Sequence, residues 1–543
     1  MQLKILIPTF LILFIVSYSG FTQPCTVSTD TIFRQGQIDS FNIKYPGCTK
    51  ISGNLVITGA ITNLDSLYGI RQISGTLSII NTQLKNCLGL YNLDTVYGFR
   101  CIDNAVLKNL YGLESLTYAG ALYIENNVAL EEIHSISSTD FTDFFLYESP
   151  KILVILGFNT PILLSNIVIE NNDGIIAIDA FNAVEEIDGS FRIRINNNLQ
   201  TLKTGSKLRV VKGLLEFLYL PQLITLPSYD SLEEAKHISI NNLDKITKLP
   251  EFTNLKLVKG SLNLGSNNNV LKFSNFPSLK IIEGSLGIGL KNSIIDFDGF
   301  INLDSIYGSL KIISSSYDST EILSGFNNLK YIGEDFFIAQ FFNLKKITGF
   351  RCLKKVERTI LFNFLTKLND LNSFKKLESG ETLRISSCWL LDDISGITGI
   401  DFNKITNLHL SGNDSLSFCH YEPICQYLQA NKGSYYVGYN KKGCANAEEI
   451  LEACRTVSTD DDTATNITLS PNPTESDFLL TLSDYVPSDG QLVMYDMMGR
   501  AVLHQPVYYD INHVSIVKLP VGTYLYQVSD GIKILKRGKL VRI

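Results

Sequence analysis

Ile51-Ser52-Gly53-Asn54-Leu55-Val56-Ile57 returns one phase later as Ile73-Ser74-Gly75-Thr76-Leu77-Ser78-Ile79. In both, an aliphatic residue is followed by Gly two positions on and by apolar residues four and six positions on. Clear copies begin at Ile187, Val211, Val258, Ile282 and Ile306, the last three setting Gly260, Gly284 and Gly308 at intervals of 24 residues. Degenerate copies beginning near Val96, Tyr118, Phe141, Leu163, Glu234, Ile332, Val356, Ser379 and Lys404 bring the total to sixteen phases in steps of 22 to 26 residues. A fixed period in this range is the mark of a solenoid, whose units bury their apolar faces only by stacking on one another.

The alternation within each phase predicts a short strand. With the first aliphatic residue as position zero, positions zero, four and six face inward and positions three, five and seven outward. On this reading Ile57, Ile79, Ile193, Leu264, Ile288 and Ile312 share one inward column. Gly at position two faces inward and lets the backbone bend or approach closely. A second apolar motif precedes many strands, as in Gly299-Phe300-Ile301-Asn302-Leu303, Gly325-Phe326-Asn327-Asn328-Leu329 and Gly349-Phe350-Arg351-Cys352-Leu353, and is expected to build the opposite wall. Asn81, Asn104, Asn126, Asn171 and Asn242 lie just past strands, where a side-chain amide can bond turn backbone. Sixteen rungs would extend about 75 Å.

The repeat, with LxxLxGL-like spacing, resembles the receptor L domain of insulin- and growth-factor-receptor ectodomains. The opening from Cys25 to Cys48 into Thr49-Lys50-Ile51-Ser52-Gly53 is similar to that family's N-terminal cap. The resemblance covers roughly residues 25–415 and implies an all-β-dominated, right-handed parallel β-helix or leucine-rich-like solenoid. Sixteen turns exceed one such domain, and none of the receptors' ligand-binding motifs recurs.

Other stretches delimit this body. Lys4, the apolar run Ile5 to Val16 and the small residues around Ser19 read as a secretory signal over residues 1–22, too short to span a membrane. The solenoid is assigned to 23–415, a cysteine-rich cap to 416–454, and an acidic linker to 455–466. Residues 467–543 read as a small β-sandwich. There Leu469-Ser470-Pro471-Asn472-Pro473, Tyr495-Asp496-Met497-Met498-Gly499-Arg500, Leu519-Pro520-Val521-Gly522-Thr523-Tyr524-Leu525-Tyr526 and a basic terminal strand follow in order. This series resembles the type A sorting domain of type IX secretion. The resemblance implies a Gram-negative bacterium, the secretion machinery as a partner, and a product released or held on the outer-membrane surface.

Ten cysteines in an exported chain favour disulfides. Cys25 with Cys48 and Cys87 with Cys101 are the expected pairs. Among Cys419, Cys425, Cys444 and Cys454, long-range pairing is favoured over Cys419–Cys425. Forty-seven basic against 54 acidic residues argue against a nucleic-acid partner. The six histidines form no paired-ligand spacing, and no catalytic fingerprint has a fitting context, so neither cofactor nor metal is assigned.

One constellation stands out. Position seven of four successive phases is acidic, at Asp103, Glu125, Glu148 and Glu170, and the same outward face is expected to carry Phe99, Tyr123, Phe144, Leu146 and Val168. With no Lys or Arg partner evident, a column of like charges is costly unless something neutralises it. Acids beside exposed aromatics suit a cation, a sugar or a basic partner; the plainer alternative is a solvated rim with the phase misjudged by one residue. The leading function is therefore a non-enzymatic secreted or surface binding protein for a glycan or protein. The rivals are a polysaccharide-degrading β-helix enzyme and a structural envelope rod.

Overall fold

The computed structural model describes residues 29–543 except 160–162, 266, 268, 271–274, 291–296, 316–318, 457–466, 483–486, 488 and 532. The leader, Cys25 and most of the acidic linker lie outside the described residues. The chain divides into two compact units, one ending at Leu451 and one spanning Glu452–Ile543.

The first unit is a parallel solenoid of about sixteen turns. One long sheet runs through it, from Thr29–Ile32, paired with Asn54–Gly59, to Ser434–Gly438, paired with Asn407–Ser411. The cap segment thus adds a strand to the sheet as well as closing it. Pairing of Ile57 with Ile79, of Ile169 with Ile193, and of Leu264 with Ile288 and then Ile312 follows one inward column throughout. All six of its expected members are buried.

In the regular coils each strand is broken at the repeat glycine, as where Ile281–Ile282 is followed by Leu286–Gly289. The glycines stack directly, with Gly284 N donating to Gly260 O and Gly308 N to Gly284 O, both at 2.9 Å. A Cβ on Gly308 would lie 2.7 Å from the Gly284 carbonyl carbon, so a side chain there would force the coils apart.

The asparagines past the strands occupy two positions, not one. Asn81, Asn126, Asn171 and Asn242 hold left-handed backbone, with φ of 50°, 52°, 58° and 57°, a conformation Asn tolerates better than most residues. One residue later Asn104, Asn127, Asn172 and Asn196 are fully buried. Their amides form a ladder between coils: Asn196 donates to Ile169 O at 3.0 Å and accepts from Asn172 N at 3.0 Å, and Asn172 donates to Leu146 O and accepts from Ser149 N. Each rung satisfies buried backbone that the turn would otherwise strand.

The opposite wall is faced by stacked rings. Tyr229, Phe252, Phe276, Phe300, Phe326, Phe350 and Phe374 follow one another at centroid separations of 5.0 to 5.8 Å. The Gly-Phe motifs before the strands supply Phe300, Phe326 and Phe350.

At the C-terminal end Cys419 pairs with Cys444 across 25 residues, and Asn446 Oδ1 accepts from Glu449 N to cap the helix Ala447–Thr456. Cys48, Cys425 and Cys454 are also in disulfides. Cys87 and Cys101, expected as a pair, are instead free and buried. Cys101 lies inward in the same column as Ile79 and Ile124, and Asn104 Nδ2 donates to its Sγ at 3.4 Å. Burial pushes the Cys87 thiol up to about 12 and Cys101 well above the usual range, so both behave as small core groups.

The second unit has two antiparallel sheets, one of Ile467–Ser470, Asp477–Leu482 and Ile511–Ser515, the other of Gly490–Tyr495, Ala501–Val507, Gly522–Asp530 and Lys533–Arg542. Phe478, Leu480, Leu492, Met494 and Val528 form its core. Asn472 fastens the terminal strand, donating to Lys539 O at 2.7 Å and accepting from Val541 N at 2.9 Å. Asp496 closes the hairpin by accepting from Met498 N, Arg500 N and Arg500 Nε. Tyr524 Oη donates to Pro520 O at 2.6 Å.

Candidate functional site

The sheet registers decide which side chains share the outer face around residues 96–218. Arg100 pairs with Tyr123, Tyr123 with Phe145, Phe145 with Val168, Val168 with Arg192, and Arg192 with Glu216. Two residues further along, Glu125, Tyr147, Glu170 and Arg194 form a second outward column. Tyr123, Glu125 and Glu170 therefore stand on one surface, as expected.

Three of the other expected members do not. Phe99, Phe144 and Leu146 are fully buried, Phe99 between Leu77 and Leu122 and Phe144 against Phe158 and Phe181 at 5.1 and 5.2 Å. Val168 is on the outer face but nearly covered. Asp103 and Glu148 sit one residue beyond the strand in the left-handed position, with φ of 60° and 47°.

The cause is a single residue. From Ile73 to the next inward strand residue, Leu77, is four positions, but from Val96 to Phe99 and from Phe141 to Phe144 it is three, and the ladder shifts register between Ile73 and Thr76. Counting onward from Val96 and Phe141 thus inverts the faces, because side chains alternate with period two. The outward residues missed for this reason are Arg100 and Ile102 in the phase from Val96 and Phe145 and Tyr147 in the phase from Phe141. Aligning phases on the second half of each strand, on Leu77, Phe99, Leu122 and Phe144, would have found them.

Of the four expected acids, Glu170 has a cationic partner among the described residues. Arg194 reaches Glu170 at 2.7 Å, and Glu216, almost buried, is held by Arg192 at 2.9 Å with Arg194 at 3.9 Å. Partnering of this kind compensates a carboxylate for removal from water. The hydrogen bond to Glu170 raises the Arg194 pKa further, while its Nε is buried without a hydrogen-bond partner among the described residues. Asp103 accepts from Asn126 Nδ2 at 2.7 Å. Tyr123 Oη donates to Glu125 Oε2 at 2.9 Å, and burial, reinforced by that bond, pushes the Tyr123 phenol up to about 12. Burial, then the Glu170 charge, also raises Tyr147.

Three outward rings form a platform. Tyr123 lies 5.7 Å from both Phe145 and Tyr147, and Phe145 stacks on Tyr147 at 6.3 Å with planes 11° apart. Arg100 sits 5.5 Å over the Tyr123 ring. A depression of about 270 Å³ opens beside them, lined by Tyr123, Glu125, Tyr147, Glu148, Glu170, Asn171 and Ile195. Flat apolar faces beside fixed hydrogen-bonding groups can seat a sugar ring or an aromatic or aliphatic side chain. Among the described residues no three His, Cys, Asp or Glu side chains gather as metal ligands, and no helix is long and apolar enough to cross a membrane.

No curated protein matches the chain. Residues 47–173, which contain the three rings with Glu125 and Glu170, match the family model described as the receptor L domain, and this supports a ligand-binding role outside the cell.

Proposed function

We propose that the chain is a non-enzymatic binding protein, secreted or held at the cell surface, whose solenoid offers its outer sheet face to a glycan or protein ligand. The observation that carries this reading is the half-buried platform of Tyr123, Phe145 and Tyr147 on the outer face beside Glu125 and Glu170, inside the stretch that matches a receptor family. Each ring keeps part of its apolar face open on the outer side, and grouped apolar area of that kind is disfavoured on a surface with no partner. Aromatic anchors supply large contact area at small entropic cost. A glycan array and a polysaccharide-hydrolysis panel, run with the wild type and a Phe145→Ala/Tyr147→Ala variant, test it. Binding weakened by at least about tenfold in the variant, as loss of two aromatic anchors implies, is the expected result. Hydrolysis by the wild type, or equal binding by both proteins, rejects it.

We further propose that residues 467–543 direct export by type IX secretion in a Gram-negative bacterium. Support comes from the ordered motifs and from the part Asn472, Asp496 and Tyr524 take in fastening the sandwich. Deleting 467–543 is expected to leave a folded solenoid in the periplasm. Surface display of the truncated protein would refute the assignment.

A further inference from the structure

On the opposite wall, far along the solenoid, the charge balance reverses. Residues 345–376 contain nine basic residues against two acidic, Glu357 and Asp370, in a chain with net charge −7. Many lysines nearby are answered within the fold: Lys345 by Glu321 at 2.8 Å, Lys355 by Glu357 at 2.5 Å, Lys330 by Asp304 at 2.5 Å. Lys346, Arg351, Lys375 and Lys376 make no ion pair among the described residues, and all four are exposed. They line one groove of about 300 Å³ together with Thr348.

The coil geometry places these charges together. Phe350 and Phe374 stack in successive turns at 5.8 Å, and Arg351 and Lys375 each follow directly on one of these rings. They therefore occupy the same station one rung apart. Ser373 Oγ donates to Ile347 O and ties the two coils across the groove. The one carboxylate in the lining, Asp370, accepts from Asn372 N at 2.8 Å. Four cations on two rungs repel one another, and an anion bound between them removes that cost.

We infer that this groove binds an anionic glycan, its sulfate or phosphate groups held by Arg351, Lys346, Lys375 and Lys376. The guanidinium of Arg351 presents a planar fork suited to two oxygens of one such group, the lysines act as mobile point charges, and the Thr348 hydroxyl can donate to a further oxygen. A polynucleotide fits less well. Single strands are held by stacking bases on aromatic rings along a basic track, whereas no residue lining this groove is aromatic and the four unpaired cations span two turns. The inference does not depend on the Tyr123 platform, which lies on the other wall.

The test measures binding of dextran sulfate, inorganic polyphosphate, neutral dextran and a single-stranded polynucleotide to the full chain. Two variants of equal net charge are compared: Lys346→Gln/Arg351→Gln/Lys375→Gln/Lys376→Gln, and a control with Lys108, Lys151, Lys207 and Lys280 each changed to Gln. Dextran sulfate is expected to bind wild type and control alike, more weakly as salt rises, and to lose at least about tenfold in the groove variant, since each phosphate- or sulfate-type contact released weakens binding and its salt dependence. Polyphosphate losing more than dextran sulfate would assign the site to phosphate; the reverse would assign it to sulfate. If the groove variant melts early, Lys375→Gln/Lys376→Gln carries the test with a loss of about threefold. Equal losses in groove and control variants, no binding of either polyanion by the wild type, or tighter binding of the polynucleotide would each overturn the inference.

Discussion

Two runs of aromatic rings follow the solenoid, and they obey different rules. The inner run, Tyr229 to Phe374, places one ring per coil at 5.0 to 5.8 Å, with planes 8° to 25° apart. The outer group of Tyr123, Phe145 and Tyr147 is confined to two coils, with spacings of 5.7 to 6.3 Å and tilts up to 49°. Inside, the repeat dictates the ring, because every coil must fill the same volume at close packing. Outside, no neighbour requires a ring at all. An aromatic there is therefore not dictated by the period, whereas an aromatic inside is.

Adjacent residues give the sharpest break of this contrast. Phe326 lies between Phe300 and Phe350 at 5.0 and 5.1 Å, and Phe144 packs on Phe158 and Phe181; all are fully buried. Phe326→Ala and Phe144→Ala are each expected to destabilise the solenoid by about 3–5 kcal/mol, the usual cost of deleting a buried ring. Phe145→Ala, one residue along and on the other face, is expected to cost about 1 kcal/mol or less. Denaturant unfolding of the three proteins measures the order. A Phe145→Ala loss equal to that of Phe144→Ala would mean that the outer ring is part of the core and the platform is not a free surface.

The same contrast explains what the sequence shows and what it hides. The Ile57–Ile312 column and the Gly-Phe wall are legible because the solenoid repeats the same burial demand at nearly constant intervals. The outer face is legible only as far as the phase is right. Tyr123, Glu125 and Glu170 come out correctly, whereas Phe144 and Leu146 trade faces with Phe145 and Tyr147, because one residue is missing from the bend ahead of the strand. The Arg194–Glu170 contact was legible but overlooked: Arg194 is position seven of the phase beginning at Ile187, next to the phase that carries Glu170, and the register pairs the two residues. The buried asparagine ladder was blurred because Asn also favours the left-handed corner one residue earlier, so two columns with different roles look like one in the sequence.

The smallest expected effect concerns the Tyr123 hydroxyl, which separates a half-covered platform from a fully solvated rim. An exposed tyrosine ionises near pH 10, about where it does in the unfolded chain. In the folded protein burial and the bond to Glu125 move Tyr123 up to about 12. Folding therefore favours the neutral phenol: its contribution to stability is complete below about pH 10 and is lost as the pH climbs through the folded value near 12. Tyr123→Phe keeps the ring, so the stacking on Phe145 and Tyr147 can persist, but it removes the titrating group. The variant is expected to match the wild type in stability at neutral pH to within about 1 kcal/mol, the size of one exposed hydrogen bond, and to show a shallower alkaline limb. Spectrophotometric titration isolates the group, because the difference between wild type and variant is the Tyr123 phenol alone. Ionisation of that difference near 12, moving down in Glu125→Gln as the carboxylate charge is removed, is the expected outcome. Ionisation near 10 would place the hydroxyl in open solvent, break the Tyr123–Glu125 contact, and leave the outer rings as an ordinary solvated edge.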